Sequence, residues 1–401
     1  MSNVTQHRKS IRRAVAEAFS LVIVFAIAIL GARSAHAQSA AGAKETTLYS
    51  FTGASDGGSP YASLIRDAKG NLYGATFAGG AANLGTIFKI DKTGKETVLY
   101  SFTGSPDGEH PTRNLLLGKS GNMYGVAYEG GANGFGAVYE LDKAGKESVV
   151  YSFESGTDGE YPGSGLIEDA EGNLYGSTGY GGATGNGTVY KVTKGGKETI
   201  LHSFTGADGQ YPFGNLLRDS AGAIYGTTSA GGTVGDGTVF KLTAKGKETV
   251  LHSFVSGKDG ENPYAGLVQD DKGNFYGTTY SGGAGCSGFG CGTVFKVTPK
   301  GKETVLHAFA TSDGHYPDFG TLVRDAAGNL YGTTYAGGSA DVGVVFKVTS
   351  SGKETVMYNF TGGADEGFPV AGLIDDKAGN FYGTTLGNPP DTYGTVFRLK
   401  P

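Results

Sequence analysis

The residues of this sequence that could do chemistry come in columns. Asp56, Asp107, Asp158, Asp208, Asp259 and Asp313 each open an Asp-Gly-x-x-Pro motif, blurred to Asp365-Glu366-Gly367-Phe368-Pro369 at its last occurrence. Carboxylates so placed can ligate a cation or bond nearby backbone in a turn. A motif present in every unit argues a geometric need, so turn structure is expected and no metal. Aromatic residues accompany the motif: Phe77, Tyr128, Tyr180, Tyr280 and Tyr335 in one set of segments, and Tyr161, Tyr211, Tyr264, Tyr316 and Phe368 beside the prolines. Two readings stand for these rings. They fill space between neighbouring units, or they form a shelf for a sugar or peptide, since tyrosine joins a flat apolar face to a hydroxyl.

Acid–base and nucleophilic constellations are scarce. His202, His252 and His307 fall where other units carry Tyr49, Tyr100, Tyr151 and Tyr358, which marks a packing position. His110 and His315 stand outside that column and join Phe77, Tyr128, Tyr180, Tyr280 and Tyr335 as ligand-binding candidates. No convergent set of acid, base and metal ligands emerges, so no catalytic residue, metal or cofactor is expected. Cys286 and Cys291 lie in the one lengthened segment, where Gly277 to Gly292 spans 15 residues against 11 for Gly74 to Gly85. A disulfide is the expected state outside the cytoplasm; the alternative, a metal or redox pair, lacks a nearby histidine or helix N-terminus.

The elements that position these residues follow from repetition. Lys-Glu followed by Thr or Ser recurs at Lys44, Lys95, Lys146, Lys197, Lys247, Lys302 and Lys353, with spacings of 51, 51, 51, 50, 55 and 51. Tyr-Gly recurs from Tyr73 to Tyr382, and two further aromatic columns run from Phe88 to Phe397 and from Phe51 to Phe360. A fixed period near 50 identifies a propeller or solenoid. Within the first unit, residues 63–66, 71–76, 86–90 and 96–102 read as short strands rich in β-branched and aromatic residues. The turns at 67–71 and 92–95 carry the glycines that tight hairpins need, so all four strands are antiparallel neighbours. No stretch shows sustained helical periodicity.

Seven equal sheets, apolar on both faces, bury those faces by closing into a ring, whereas a linear solenoid calls for polar end caps. The expected fold is therefore an all-β, seven-bladed β-propeller of four-stranded antiparallel blades over residues 44–401. The chain opens with a fourth-type strand (45–51) and closes with a third-type strand (395–399), so the N-terminal strand should complete the last blade. Both long connections, typified by 52–62 and 77–85, fall on one face, where ligand chemistry usually resides. The central channel should be lined by Ser63, Asn114, Gly165, Asn215, Gly266, Thr321 and Gly372, without carboxylate or imidazole.

The units Gly-Asn-Leu-Tyr-Gly-Thr-Thr, Gly-Thr-Val-Phe-Lys-Val and Lys-Glu-Thr-Val-Leu-His-Ser-Phe resemble those of the GloVer tandem-repeat family of exported bacterial proteins, over about residues 44–400. More distantly, an apolar strand, an Asp-x-x-Gly-Asn turn and a strand with Tyr resemble NHL-type propellers. The first resemblance implies an exported, surface-related protein and brings no activity with it.

The N-terminus supports that implication. Arg8, Lys9, Arg12 and Arg13 precede an apolar run at 21–30 and the small-x-small end Ala35-His36-Ala37. Residues 1–37 read as a signal peptide, too short for a membrane-anchoring helix, and 38–43 as a linker. Beyond residue 37 the chain keeps 28 basic against 37 acidic side chains, which argues against nucleic acid as a partner. No transmembrane segment is expected after cleavage, and the protein is expected to be a monomer. The expected function is that of an exported, non-catalytic binding protein, periplasmic, cell-surface or secreted, whose ligand is a glycan or a protein. A propeller hydrolase or lyase and a structural envelope component are the alternatives.

Overall fold

The structure is a computed structural model and describes residues 43–401 except Ser287. The expected signal peptide and residues 38–42 of the linker lie outside the described residues. No α-helix occurs among the described residues, and no helix there is long and apolar enough to cross a membrane.

Seven antiparallel sheets succeed one another along the chain. The first blade is built from Ile65–Arg66, Leu72–Thr76, Thr86–Ile90 and Glu96–Ser101, and the second from Leu116–Leu117, Met123–Gly130, Ala137–Leu141 and Glu147–Ser152. The third holds Ile167–Glu168, Leu174–Tyr180, Thr188–Val192 and Glu198–Ser203; the fourth holds Leu217–Arg218, Ile224–Thr228, Thr238–Leu242 and Glu248–Ser253. The fifth comprises Val268–Gln269, Phe275–Thr279, Thr293–Val297 and Glu303–Ala308, and the sixth Val323–Arg324, Leu330–Thr334, Val344–Val348 and Glu354–Asn359. Two blades gain a short extra strand on the second strand, Gly108–Pro111 and Glu160–Pro162. First strands are shorter than expected: the pairing covers only two residues per blade.

The seventh blade is a composite. Ile374–Asp375, Phe381–Thr385 and Thr395–Lys400 come from the C-terminal end, and Lys44–Ser50 adds the fourth strand, pairing from Lys44 opposite Lys400 to Ser50 opposite Thr395 with a one-residue shift between Thr47 and Tyr49. The expected latch therefore exists, shifted by one residue at each end. The amide of Phe51 then donates to the carbonyl of Gly394 at 2.9 Å, as Phe102 does to Gly85 inside the chain.

Blade-to-blade packing explains two of the sequence columns. Each fourth-strand phenylalanine meets the third-strand aromatic of the next blade edge to face: Phe51 on Phe88 at 5.0 Å, Phe102 on Tyr139 at 5.1 Å, and likewise around to Phe360 on Phe397 at 5.2 Å. The glycine of Tyr-Gly is needed because that third-strand ring lies across it. A Cβ at Gly74 would stand 2.5 Å from the Phe88 ring. Near the long loops the hydroxyls of the second and third strands interlock, as in Thr76 with Thr86 at 2.9 Å and Thr228 with Thr238 at 2.8 Å.

Candidate functional site

The Asp-Gly motif fastens the outer part of each blade. Asp56 Oδ2 accepts from the Tyr49 hydroxyl at 2.9 Å and from the Thr52 amide at 2.9 Å. Asp107, Asp158 and Asp365 bind Tyr100, Tyr151 and Tyr358 in the same way, and Asp208, Asp259 and Asp313 bind His202, His252 and His307 through Nε2 at 3.0, 3.1 and 3.2 Å. The motif is structural, as expected: the aspartate accepts from a backbone amide of its own loop, and it also reaches back to a side chain of the preceding strand. Tyrosine and histidine interchange because each offers one donor to the aspartate. The column is more than a packing position.

A second carboxyl faces each of these aspartates. It is the glutamate of Lys-Glu-Thr or Lys-Glu-Ser, on the neighbouring blade. Burial, with the like charge of Asp56 behind it, pushes Glu96 up to about 7. Glu147, Glu198 and Glu248 rise to about 7 beside Asp107, Asp158 and Asp208, and Glu303 and Glu354 to about 8 beside Asp259 and Asp313. One oxygen of each of these six glutamates is sealed from solvent without a hydrogen-bond partner. A carboxyl held this way keeps its proton well above the ordinary carboxylate range. Among the described residues, His307, Asp313 and Glu354 come within reach of one ion, as do Glu109, His110 and Glu129. The first group is one instance of this repeated fastening.

The long loops meet on one face, where short bridges pair Gly58 with Ala78, Gln210 with Ala230, Glu261 with Ser281 and His315 with Ala336. The candidate aromatics lie there, half-buried apart from Tyr128, which is 3 % exposed. They pair between blades. Phe77 stacks on His110 at 4.3 Å, Tyr280 on Tyr316 at 4.7 Å, and Tyr128, Tyr180 and Tyr335 lean on Tyr161, Tyr211 and Phe368 at 5.1, 5.0 and 5.1 Å. The residue before each proline takes a left-handed conformation: Ser59, His110, Tyr161, Tyr211, Asn262, Tyr316 and Phe368 have φ of 53 to 60°. His110 thus belongs to a column, and its Nδ1 sits 2.8 Å from the carbonyl of Phe77. His315 is the residue outside it; its Nε2 lies 3.0 Å from Asp341, whose carboxyl that hydrogen bond holds down. Tyr264, grouped by sequence with the residues beside proline, follows its proline, as Tyr61 and Phe213 follow theirs, and its ring lies 6.3 Å from Phe213.

The channel residues meet as expected. Asn114 Oδ1 accepts from the Ser63 amide at 2.9 Å, Asn215 Oδ1 from the Gly165 amide at 2.8 Å, and Ser63 Oγ from the Gly372 amide at 2.8 Å. Asn215 also donates to Thr321 Oγ1 at 3.2 Å across the fifth blade, where Gly266 leaves room.

On the loop side of that ring lies a pair that the sequence columns did not single out. Arg113, 6 % exposed, stacks its guanidinium on Phe319 at 4.4 Å and faces Phe213 at 5.7 Å. Asp318, 5 % exposed, is pushed up to about 7 by burial, against the pull of Arg113. Burial brings Arg113 down to about 10. The charge of Asp318 in turn helps burial hold the hydroxyls of Tyr61, Tyr264, Tyr280 and Tyr335 above their usual range. The loop before Pro317 is one residue shorter than most and the stretch after it one longer, so the two changes cancel in the repeat spacing.

Cys286 and Cys291 form a disulfide, Cα to Cα 5.5 Å, that closes the lengthened loop and leaves Phe289 80 % exposed.

Among solved structures, the extracellular domain of a proposed one-component system from B. thetaiotaomicron shares the fold, with TM-score 0.53 and 10 % identity, covering 84 % of this chain and 38 % of that one. A gluconolactonase from Xanthomonas campestris aligns with TM-score 0.47 and 11 % identity over 89 % of each chain. No curated protein matches the sequence. The model of the Gloeobacter/Verrucomicrobia repeat matches residues 37–221 and 214–401, in agreement with the sequence resemblance. These two matches run across all seven blades, and the chain belongs to the Gloeobacter/Verrucomicrobia repeat family.

Proposed function

We propose that this protein is exported and works outside the cytoplasm as a non-catalytic binding propeller, its long-loop face taking a glycan or a protein. The observation that carries this reading is the assembly on that face. Aromatic rings from neighbouring blades pair on it, and a buried arginine of the second blade stacks on a ring of the sixth, next to a buried aspartate. Concave, mostly apolar sites with a few placed polar groups are where ligands bind. The disulfide and the apolar run after Arg13 support export.

Asp318, held near neutrality, favours a second reading, a hydrolase or lyase in which its carboxyl carries a proton. The test separates the two. The purified protein is incubated with envelope material from producing cells, and co-sedimentation is compared with that of a Tyr180→Ala, Tyr280→Ala, Tyr335→Ala variant. Binding by the parent alone, with no soluble product released, is the expected result. Equal sedimentation of both proteins removes the binding face, and product release favours the enzyme.

A further inference from the structure

Arg113 and Asp318 are carried by blades two and six, yet the Arg113 guanidinium stacks on Phe319, the residue next to Asp318, and its charge acts on the Asp318 carboxyl. Among the described residues no group accepts a hydrogen bond from the Arg113 guanidinium and none donates to the Asp318 carboxylate. The Nε of Arg113 is sealed from solvent without a partner. The two charges do not close into an ion pair. Leaving a buried arginine and a buried carboxylate both unbonded is expensive, and a ligand that bonds both recovers that cost.

The chemistry of that ligand follows from the surroundings. The two formal charges cancel, so an anion on Arg113 would face Asp318 and a cation on Asp318 would face Arg113. A neutral molecule with adjacent hydroxyls suits both, one oxygen accepting from the guanidinium and its neighbour donating to the carboxylate. The walls are rings: Phe319 and Tyr264 lie 5.5 Å apart, and Phe213 and Tyr264 6.3 Å apart. Rings of this kind take the C–H face of a sugar. Both polar side chains are more than nine-tenths buried, so only a narrow group reaches them, not a flat protein surface.

We propose that Arg113 and Asp318, walled by Phe319, Phe213 and Tyr264, form a subsite for one ring of a neutral saccharide, whose neighbouring hydroxyls bridge the guanidinium and the carboxylate. This assignment rests on the binding reading above and names its ligand class.

The test is calorimetric titration of the purified full chain with cello-, xylo-, manno- and maltopentaose, and with a galacturonate pentamer as the acidic comparison. Binding of at least one neutral pentamer is expected, with the acidic one at least 10-fold weaker. Asp318→Asn, which keeps the shape, and Arg113→Met, which keeps the stem over Phe319, should each weaken that binding at least 10-fold while thermal melting confirms folding. Binding of none of the neutral pentamers, preference for galacturonate, or unchanged affinity in the folded Asp318→Asn variant overturns the assignment. Envelope binding by the parent alone, together with no saccharide binding, leaves the binding reading standing without this subsite. Loss of both removes the two together.

Discussion

The guanidinium of Arg113 lies 4.4 Å from the ring centroid of Phe319, although one residue comes from the second blade and the other from the sixth. Only at the axis of the ring can side chains from such blades meet. The contact therefore locates the mouth of the propeller and places there the two buried charges that the repeated fastenings leave unused.

The Asp-Gly fastening predicts an unequal pair of substitutions. Tyr100→Phe removes the donor to Asp107 from a part-buried site and should destabilise by about 1 kcal/mol. Tyr100→His supplies the donor in the way His202 does for Asp208 and should cost less than half as much. Denaturant melts of the two variants measure the difference; equal losses would show that the ring's volume, not its donor, matters.

The carboxyl pairs predict how stability varies with pH. Glu96, Glu147, Glu198 and Glu248 move from an ordinary 4.5 to about 7, and Glu303 and Glu354 to about 8. A raised carboxyl holds more protons folded than unfolded, so its contribution is complete below 4.5 and is lost as pH rises through 7 to 8. The turn aspartates act oppositely. Burial opposes the bonds from Asn173, Asn274 and their tyrosines, which nevertheless bring Asp169 and Asp270 to about 2, so their contribution is present above 3.8 and lost below it. Tm should peak near pH 4 to 5 and fall by about 5 °C or more by pH 9. Glu198→Gln, which mimics the protonated form, should flatten that fall. A Tm that is flat from pH 5 to 9 contradicts the raised glutamates.

The latch predicts a large loss on truncation. Deleting residues 44–51 exposes the edge of Thr395–Lys400 and uncovers Phe88, and Tm should drop by about 10 °C or more. An unchanged Tm would mean that the ring holds without the composite blade.

The stapled loop should be dispensable for folding. Cys286→Ser with Cys291→Ser opens a six-residue ring and should cost about 2 kcal/mol, with the β-sheet circular dichroism unchanged. Collapse of the sheet signal would make the insertion part of the scaffold.

Much of this architecture was legible because each column answers one repeated packing or bonding need: Phe51 through Phe360 on the next blade, Tyr-Gly under a ring, Asp-x-x-Gly-Asn at a turn. The axial pair was not. Arg113 occupies a place filled by Ala62, Ser164 or Gly214 elsewhere, which reads as ordinary variation, and the extra residue that brings in Asp318 is cancelled by the shorter loop before Pro317. The glutamate pairs escaped because Asp56 and Glu96 stand on adjacent blades, 40 residues apart, and come together only when neighbouring blades pack. His110 looked irregular because its column holds serine, asparagine and phenylalanine as well as tyrosine; the feature they share is a left-handed backbone before proline, which side-chain type does not reveal.

Hydrogen–deuterium exchange of the protein with and without solubilised envelope material from producing cells tests the account most directly, because it reports which face is covered. Exchange should slow in the peptides spanning 108–113, 211–215 and 316–321, with the tight turns at 67–71, 92–95 and 298–302 unchanged. Protection confined to those turns, or spread evenly over both faces, would contradict it.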